Sequence, residues 1–195
     1  VGNSDCKIYM GNIKVYPNET PPTPTIRNYL RFVSKGTGTF TFFANGSDSA
    51  NTLSYSLNSG ETWTQLGNGV ESPTVANGDV IMWKGDNPTI VSNKGIGTFS
   101  STTAFDVEGN IMSLHFGDNF ETVVDLTGKD TAFMNLFSGC TTVINADKLE
   151  LPATTLSRNC YTNLFNRASS LVSPPSLTAA TTLAVGCYFN MFYCY

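Results

Sequence analysis

Charge is what this chain lacks most. Only 13% of its 195 residues are charged, about half the usual share for a globular protein. Lys and Arg number 11 against 15 Asp and Glu, a net charge of −4. That balance argues against a nucleic-acid binder working by counterion release. There is one histidine, His115, so imidazole-based acid–base or metal chemistry would rest on a single side chain. No run approaches 18 apolar residues, and from Val1 onward no basic stretch leads into an apolar one, so neither a spanning helix nor a leader still in place is read. None of the five cysteines, Cys6, Cys140, Cys160, Cys187 and Cys194, has C-x-x-C spacing. No metal site and no cofactor are expected; the cysteines read as buried, unbonded thiols of a reducing compartment.

What is abundant is neutral polarity. Thr, Ser and Asn make up about a third of the chain, beside 13 Phe and 8 Tyr. That composition suits short strands and turns around an aromatic core, a mainly β protein.

Three compositional regions follow. Residues 1–18 read as a hairpin, two short strands around Gly11-Asn12, with Ile8, Met10, Ile13 and Val15 to bury and no domain of their own. Residues 19–26 hold Pro21-Pro22-Thr23-Pro24, an extended spacer. Residues 27–116 read as an antiparallel β-sandwich of about eight strands near 29–34, 37–43, 53–57, 62–66, 79–84, 96–101, 105–108 and 111–116, with turns carrying Gly or Asn every ~8–12 residues. Trp63, Trp83, Phe40, Phe42 and Phe99 are its expected core.

Residues 117–195 repeat. Ala153-Thr154-Thr155-Leu156 recurs as Ala180-Thr181-Thr182-Leu183, Cys160-Tyr161 as Cys187-Tyr188, and Asn163-Leu164-Phe165 as Asn190-Met191-Phe192. All three recur at 27 residues, and Asn135-Leu136-Phe137 precedes them by 28. A period in this range predicts a short solenoid of the leucine-rich type. Each unit should give a strand, near Val143-Ile144 and Leu171-Val172, and a short helix ending in the Leu/Met-Phe pair. Cys160 and Cys187 should stack without bonding to each other. Tyr161, Asn163, Tyr188 and Asn190 recur in register as two ladders. Neutral hydrogen-bonding groups beside rings suit a sugar, but inter-repeat packing is the favoured account of Tyr161 and Tyr188.

Other motifs carry less. Ser56-Leu57-Asn58-Ser59-Gly60-Glu61-Thr62-Trp63 matches the Asp-box hairpin with Asn58 for Asp, and one copy reads as a structural turn. His115 sits in an apolar stretch without a nucleophile or carboxylate at telling spacing and reads as structural. Asp118, Glu121 and Asp125 lack the EF-hand pattern. Asn18-Glu19-Thr20 and Asn45-Gly46-Ser47 are sequons that matter only in a eukaryotic secretory pathway. No catalytic residue is assigned, and the chain is not expected to be an enzyme. After Glu150 there is no acidic residue, and Gly186-Cys187-Tyr188-Phe189-Asn190-Met191-Phe192-Tyr193-Cys194-Tyr195 is strongly apolar. Either the natural chain continues past this segment, or Phe189 and Phe192 form an assembly surface that another subunit of a homo-oligomer covers.

Residues 135–171, with Leu151-Pro152-Ala153-Thr154-Thr155-Leu156, Cys160-Tyr161 and Leu136-Phe137-Ser138-Gly139-Cys140-Thr141, resemble BspA-like leucine-rich repeats of gut Bacteroidales. Lys7-Ile8-Tyr9-Met10-Gly11-Asn12-Ile13-Lys14-Val15 resembles the K-x-Y-x-G-x-x-x-V adaptor strands of phage tail and fibre proteins. Asn93-Lys94-Gly95-Ile96-Gly97-Thr98-Phe99 and Gly109-Asn110-Ile111-Met112-Ser113-Leu114 resemble the β-domain joined to such repeats in gut phages. The second repeat departs from the pattern, with Asn166-Arg167-Ala168 for Ser-Gly-Cys and Thr178 where Pro is usual. The resemblance implies a virion-surface fibre or appendage protein, made in the bacterial host's cytoplasm and binding a host surface glycan or protein. Its oligomers, often trimers in fibres, would contact other virion proteins through the hairpin, with no nucleic acid bound and no membrane insertion. A bacterial cell-surface adhesin is the alternative, and a glycan-active enzyme the third reading.

Overall fold

The computed structural model describes residues 27–45, 53–86 and 95–194 in full, and the backbone alone of Ile8–Met10 and Ile13–Val15. The Gly11-Asn12 turn, Cys6, Asn18 and the proline-rich spacer lie outside the described residues. The first two strands, β1 (Ile8–Met10) and β2 (Ile13–Val15), pair antiparallel with Ile8 opposite Val15, as the hairpin reading requires.

Among the described residues the protein is mainly β, with one short α-helix. Strands β3 (Leu30–Ser34), β4 (Phe40–Ala44), β5 (Leu53–Ser56), β6 (Thr64–Leu66), β7 (Val80–Gly85), β8 (Gly97–Ser101) and β9 (Phe105–Asn110) fall where alternation placed them. In β3, Leu30, Phe32 and Ser34 are buried while Arg31 and Val33 lie on the other face. In β9, Phe105 and Val107 go inward. Asp106 and Glu108 take the outer face, paired with Lys35 at 2.5 Å and Arg31 at 3.0 Å.

Two corrections follow. The expected strand at 111–116 is a helical turn, α1 (Ser113–Phe116). Asn110 Oδ1 accepts the Met112 N–H at 2.9 Å, and Ser113 Oγ bridges β3 and β7 by accepting from Leu30 N–H and donating to Trp83 O. These side-chain bonds stop the strand and turn the chain inward. The main sheet is also mixed rather than wholly antiparallel. Its order is β10-β9-β3-β7-β5-β6, and β10 (Val143–Glu150), from the repeating half, runs parallel to β9.

Strands β4 and β8 form a separate pair whose rings meet those of the main sheet. Phe32 lies 5.2 Å from Phe40 and 4.9 Å from Phe99, and Trp83 lies 5.1 Å from Phe99. Trp83, Phe40, Phe42 and Phe99 are buried as expected. Trp63 is only half-buried, packed edge-on against Tyr29. One apolar cluster runs without a break from Tyr29 to Met191, so both halves share a core.

Candidate functional site

From Lys129 onward the chain forms three stacked coils, residues 129–140, 157–168 and 184–193. Each coil is a ribbon in which alternate N–H groups have different destinations. In the first, Ala132, Met134, Leu136, Ser138 and Cys140 donate to the carbonyl three residues back. The intervening Thr131, Phe133, Asn135, Phe137 and Gly139 donate across to Arg158, Cys160, Thr162, Leu164 and Asn166 of the second coil. The second coil repeats the scheme onto the third, with Asn159, Tyr161, Asn163, Phe165 and Arg167 donating to Val185, Cys187, Phe189, Met191 and Tyr193.

The expected helix before each Leu/Met-Phe pair is therefore a train of turns. The cause is a left-handed residue at every fourth position. Thr131, Asn135 and Gly139 in the first coil, Asn159, Asn163 and Arg167 in the second, and Gly186 and Asn190 in the third have φ between 51° and 73°. A helix cannot continue through such residues, and Asn and Gly are the types that adopt them at least cost. The Asn recurrence is thus a backbone requirement. It also makes a side-chain contact, because Asn163 Nδ2 donates to Asn135 Oδ1 at 3.0 Å. The expected strand at Leu171-Val172 is a single parallel bridge, Asn145 to Ser173.

Two columns of rings run through the stack. Phe133, Tyr161 and Tyr188 lie 5.6 and 5.8 Å apart, within 11° of parallel. Phe137, Phe165 and Phe192 lie 5.1 and 5.9 Å apart. Each offset-stacked pair contributes roughly 0.5–1.5 kcal/mol beyond its burial. The second column enters the β body through Phe99, stacked 5.8 Å from Phe137. The first meets His115, whose ring lies 4.8 Å from Phe133 and whose Nε2 is 2.9 Å from Ala132 O. His115 is buried and structural in its contacts.

Of the four ladder residues named from sequence, Tyr161 is wholly buried between two rings, and its hydroxyl has no hydrogen-bond partner among the described residues. Burial pushes its pKa well above the ordinary tyrosine value. Asn163 is half-buried in the Asn ladder, Tyr188 is half-buried, and Asn190 is exposed. Tyr161 and Tyr188 share one ring column and Asn163 pairs with Asn135, while Asn190 lies exposed on the third coil beside Tyr188. Phe189 there is 62% exposed, Val185 80% and Phe192 38%. Cys160 and Cys187 are buried and unbonded, and burial pushes the Cys160 thiol up to about 12.

The sequence reading missed the donor row at this face. Gly186, Tyr188, Asn190 and Phe192 hold the register positions of Asn159, Tyr161, Asn163 and Phe165, whose N–H groups bond across coils. Their own N–H groups meet no acceptor among the described residues. The legible signal was the four-residue spacing of Asn and Gly within each unit.

A second polar cluster lies on the β body. Ser56 Oγ accepts from Gly60 N–H at 2.9 Å, and Asn58 Oδ1 accepts from Thr62 N–H at 3.0 Å. The Asp-box hairpin thus forms between β5 and β6, with Asn58 in the acid's place. Lys84 Nζ sits 4.5 Å over the Trp63 ring and pairs with Asp118 at 2.8 Å, while Tyr29 Oη donates to the same carboxylate at 2.6 Å. The Lys84 hydrogen bond, then that from Tyr29, holds the Asp118 carboxyl below the ordinary range. Burial, then that carboxylate, raises Tyr29 to about 12. Asp125 turns instead onto Thr127, its Oδ1 accepting from the Thr127 hydroxyl at 2.6 Å. Among the described residues no three His, Cys, Asp or Glu side chains are gathered. No family model, curated protein or solved structure matches this chain.

Proposed function

We propose that this chain is a non-enzymatic structural and attachment protein of a phage virion surface, of the fibre or appendage type. In this reading its described body is a β-sandwich built on the mixed six-stranded sheet and extended by a short leucine-rich-repeat solenoid of the BspA-like kind. The observation that carries it is the coil stack. Three coils in one register are tied to the β body by β10 on β9 and by the Phe99–Phe137 stack, which holds an uncharged, aromatic face rigidly at one end of the molecule. A mount with a presented face is what an appendage needs, and the adaptor-like β1–β2 hairpin would supply a separate attachment.

Mass spectrometry of purified virions and of host outer-membrane fractions tests the reading. The chain is expected among the virion proteins and at the particle surface by antibody labelling. Its recovery only from the bacterial envelope, on uninfected cells, would replace the phage reading with the adhesin one.

A further inference from the structure

Successive repeats are stitched together at two places and part between them. Val172 N–H donates to Ile144 O and Ala146 N–H to Ser173 O, which sets Asn145 beside Ser173 in a parallel bridge. Further on, Thr181 and Thr182 N–H both donate to Thr154 O, and Thr155 bridges Thr182. Among the described residues no main-chain bond joins 147–153 to 174–180. The sequence supplies the cause. The next donor along the first ladder would be Pro174, and Pro175 follows it; neither has an N–H. The second repeat therefore leaves β10 after Ser173 and returns only at Thr181, and a cleft of about 520 Å³ opens between them. Residues 28–182 supply its walls and both closing bridges, so the cleft owes nothing to the third coil.

Its lining is of two kinds. Leu149 and Leu151, both buried, make one part apolar together with Pro152. The rest is polar. Arg31 is held by Glu108 at 3.0 Å and donates to Asn28 Oδ1 at 3.0 Å, which leaves the Asn28 amide nitrogen without an acceptor among the described residues. On the wall from the second repeat, the hydroxyls of Ser176 and Thr178 lie 3.1 Å apart. Lys148 shares Glu108 with Arg31, whereas Asp147 and Glu150 make no ion pair among the described residues. An anionic ligand would find the cations already partnered and two carboxylates facing it. We infer that this cleft binds an uncharged oligosaccharide. Its hydroxyls donate to Asp147 and Glu150 and accept from the Asn28 amide and the Ser176 and Thr178 hydroxyls, while the C–H faces of its rings lie on Leu149, Leu151 and Pro152. The volume falls in the range of small-ligand sites. The inference stands on the cleft and holds whether or not the chain belongs to a virion.

The test applies the full chain to an array of neutral oligosaccharides of glucose, galactose, mannose and their N-acetylated amino sugars, with sialylated and sulfated glycans beside them. Binding to at least one neutral glycan is expected. In an NMR titration with that glycan, the Asn28 side-chain amide and the Leu149 and Thr178 main-chain amides should shift saturably. Thr178→Trp fills the cleft from an exposed position and is expected to weaken binding at least about tenfold with thermal unfolding unchanged. Asp147→Asn with Glu150→Gln keeps the shape and should weaken binding by a smaller factor. No binding of the parental chain to any neutral glycan overturns the inference, as does a preference for the sialylated or sulfated ones. Binding kept in Thr178→Trp and lost in Tyr188→Ala would put the sugar on the ring column and overturn it as well.

Discussion

Asn163 donates its side-chain amide to Oδ1 of Asn135, 28 residues earlier, and both residues hold left-handed backbone, at φ 55° and 63°. One residue type thus meets two requirements: it tolerates the conformation that turns the ribbon, and it ties neighbouring coils. Asn163→Ala is expected to destabilise the protein by about 1–2 kcal/mol, from left-handed strain on a residue with Cβ and a lost hydrogen bond. Asn163→Gly keeps the backbone preference and should cost distinctly less. Denaturant titration of the pair separates the two effects, and equal losses would assign everything to the side chain.

Tyr161 stacks between Phe133 and Tyr188 with its hydroxyl buried and unpartnered. Its equivalent in the first coil is already Phe133. Tyr161→Phe is expected to raise stability by about 1 kcal/mol, by removing a desolvated hydroxyl without opening a cavity. Tyr161→Ala should cost roughly 3–5 kcal/mol. A hydroxyl needed for function would show instead as a phenylalanine variant that is stable yet fails to bind.

Burial separates the described thiols. Cys140, Cys160 and Cys187 are buried and Cys194 is exposed. Desolvation raises Cys140 and holds Cys160 near 12, so both stay neutral at pH 8, where a thiolate is what an alkylating reagent attacks. Iodoacetamide on the native protein is expected to modify Cys194 and spare the other three, as mapped by peptide mass spectrometry. For a raised thiol the linked stability is present below the unfolded pKa of about 8.5 and is lost as pH rises toward the folded value. Protection of the buried thiols should therefore weaken on the alkaline side. Rapid labelling of Cys160 at neutral pH would contradict the packed stack.

The period was legible because the ladder imposes it: equivalent rings must superpose every 27 or 28 residues, and Asn must return where φ is positive. The ribbon inside each coil was not legible, because Leu164-Phe165 and Met191-Phe192 read as the end of an apolar helix face. Alternation placed β3 and β9 well, since one face of each is covered. It failed at 111–116, where Asn110 and Ser113 act through side-chain bonds that no periodicity encodes. Trp63 was expected inside because it is large and apolar. Its indole N–H instead donates to Gly60 O at 3.0 Å and its face takes Lys84, which holds it at the surface. The parallel β10–β9 pairing was invisible because it joins segments that sequence composition separates.

The β1–β2 hairpin pairs only with itself among the described strands. Deleting residues 1–16 is expected to leave the thermal unfolding of the remainder unchanged within about 0.5 kcal/mol and to abolish incorporation into particles. A deletion variant incorporated at the parental level would contradict the adaptor role.

The coil ladder itself is tested most directly by amide exchange of the free, full-length chain, resolved by residue. Tyr161, Asn163 and Phe165 N–H, which bond across to the third coil, are expected to exchange slowly. Their register equivalents Tyr188, Asn190 and Phe192, which have no acceptor among the described residues, are expected to exchange fast, while Phe189 and Met191 between them stay protected by their turns. Uniformly slow exchange through residues 186–192, or uniformly fast exchange through 159–167, would contradict a stack whose last coil presents only donors.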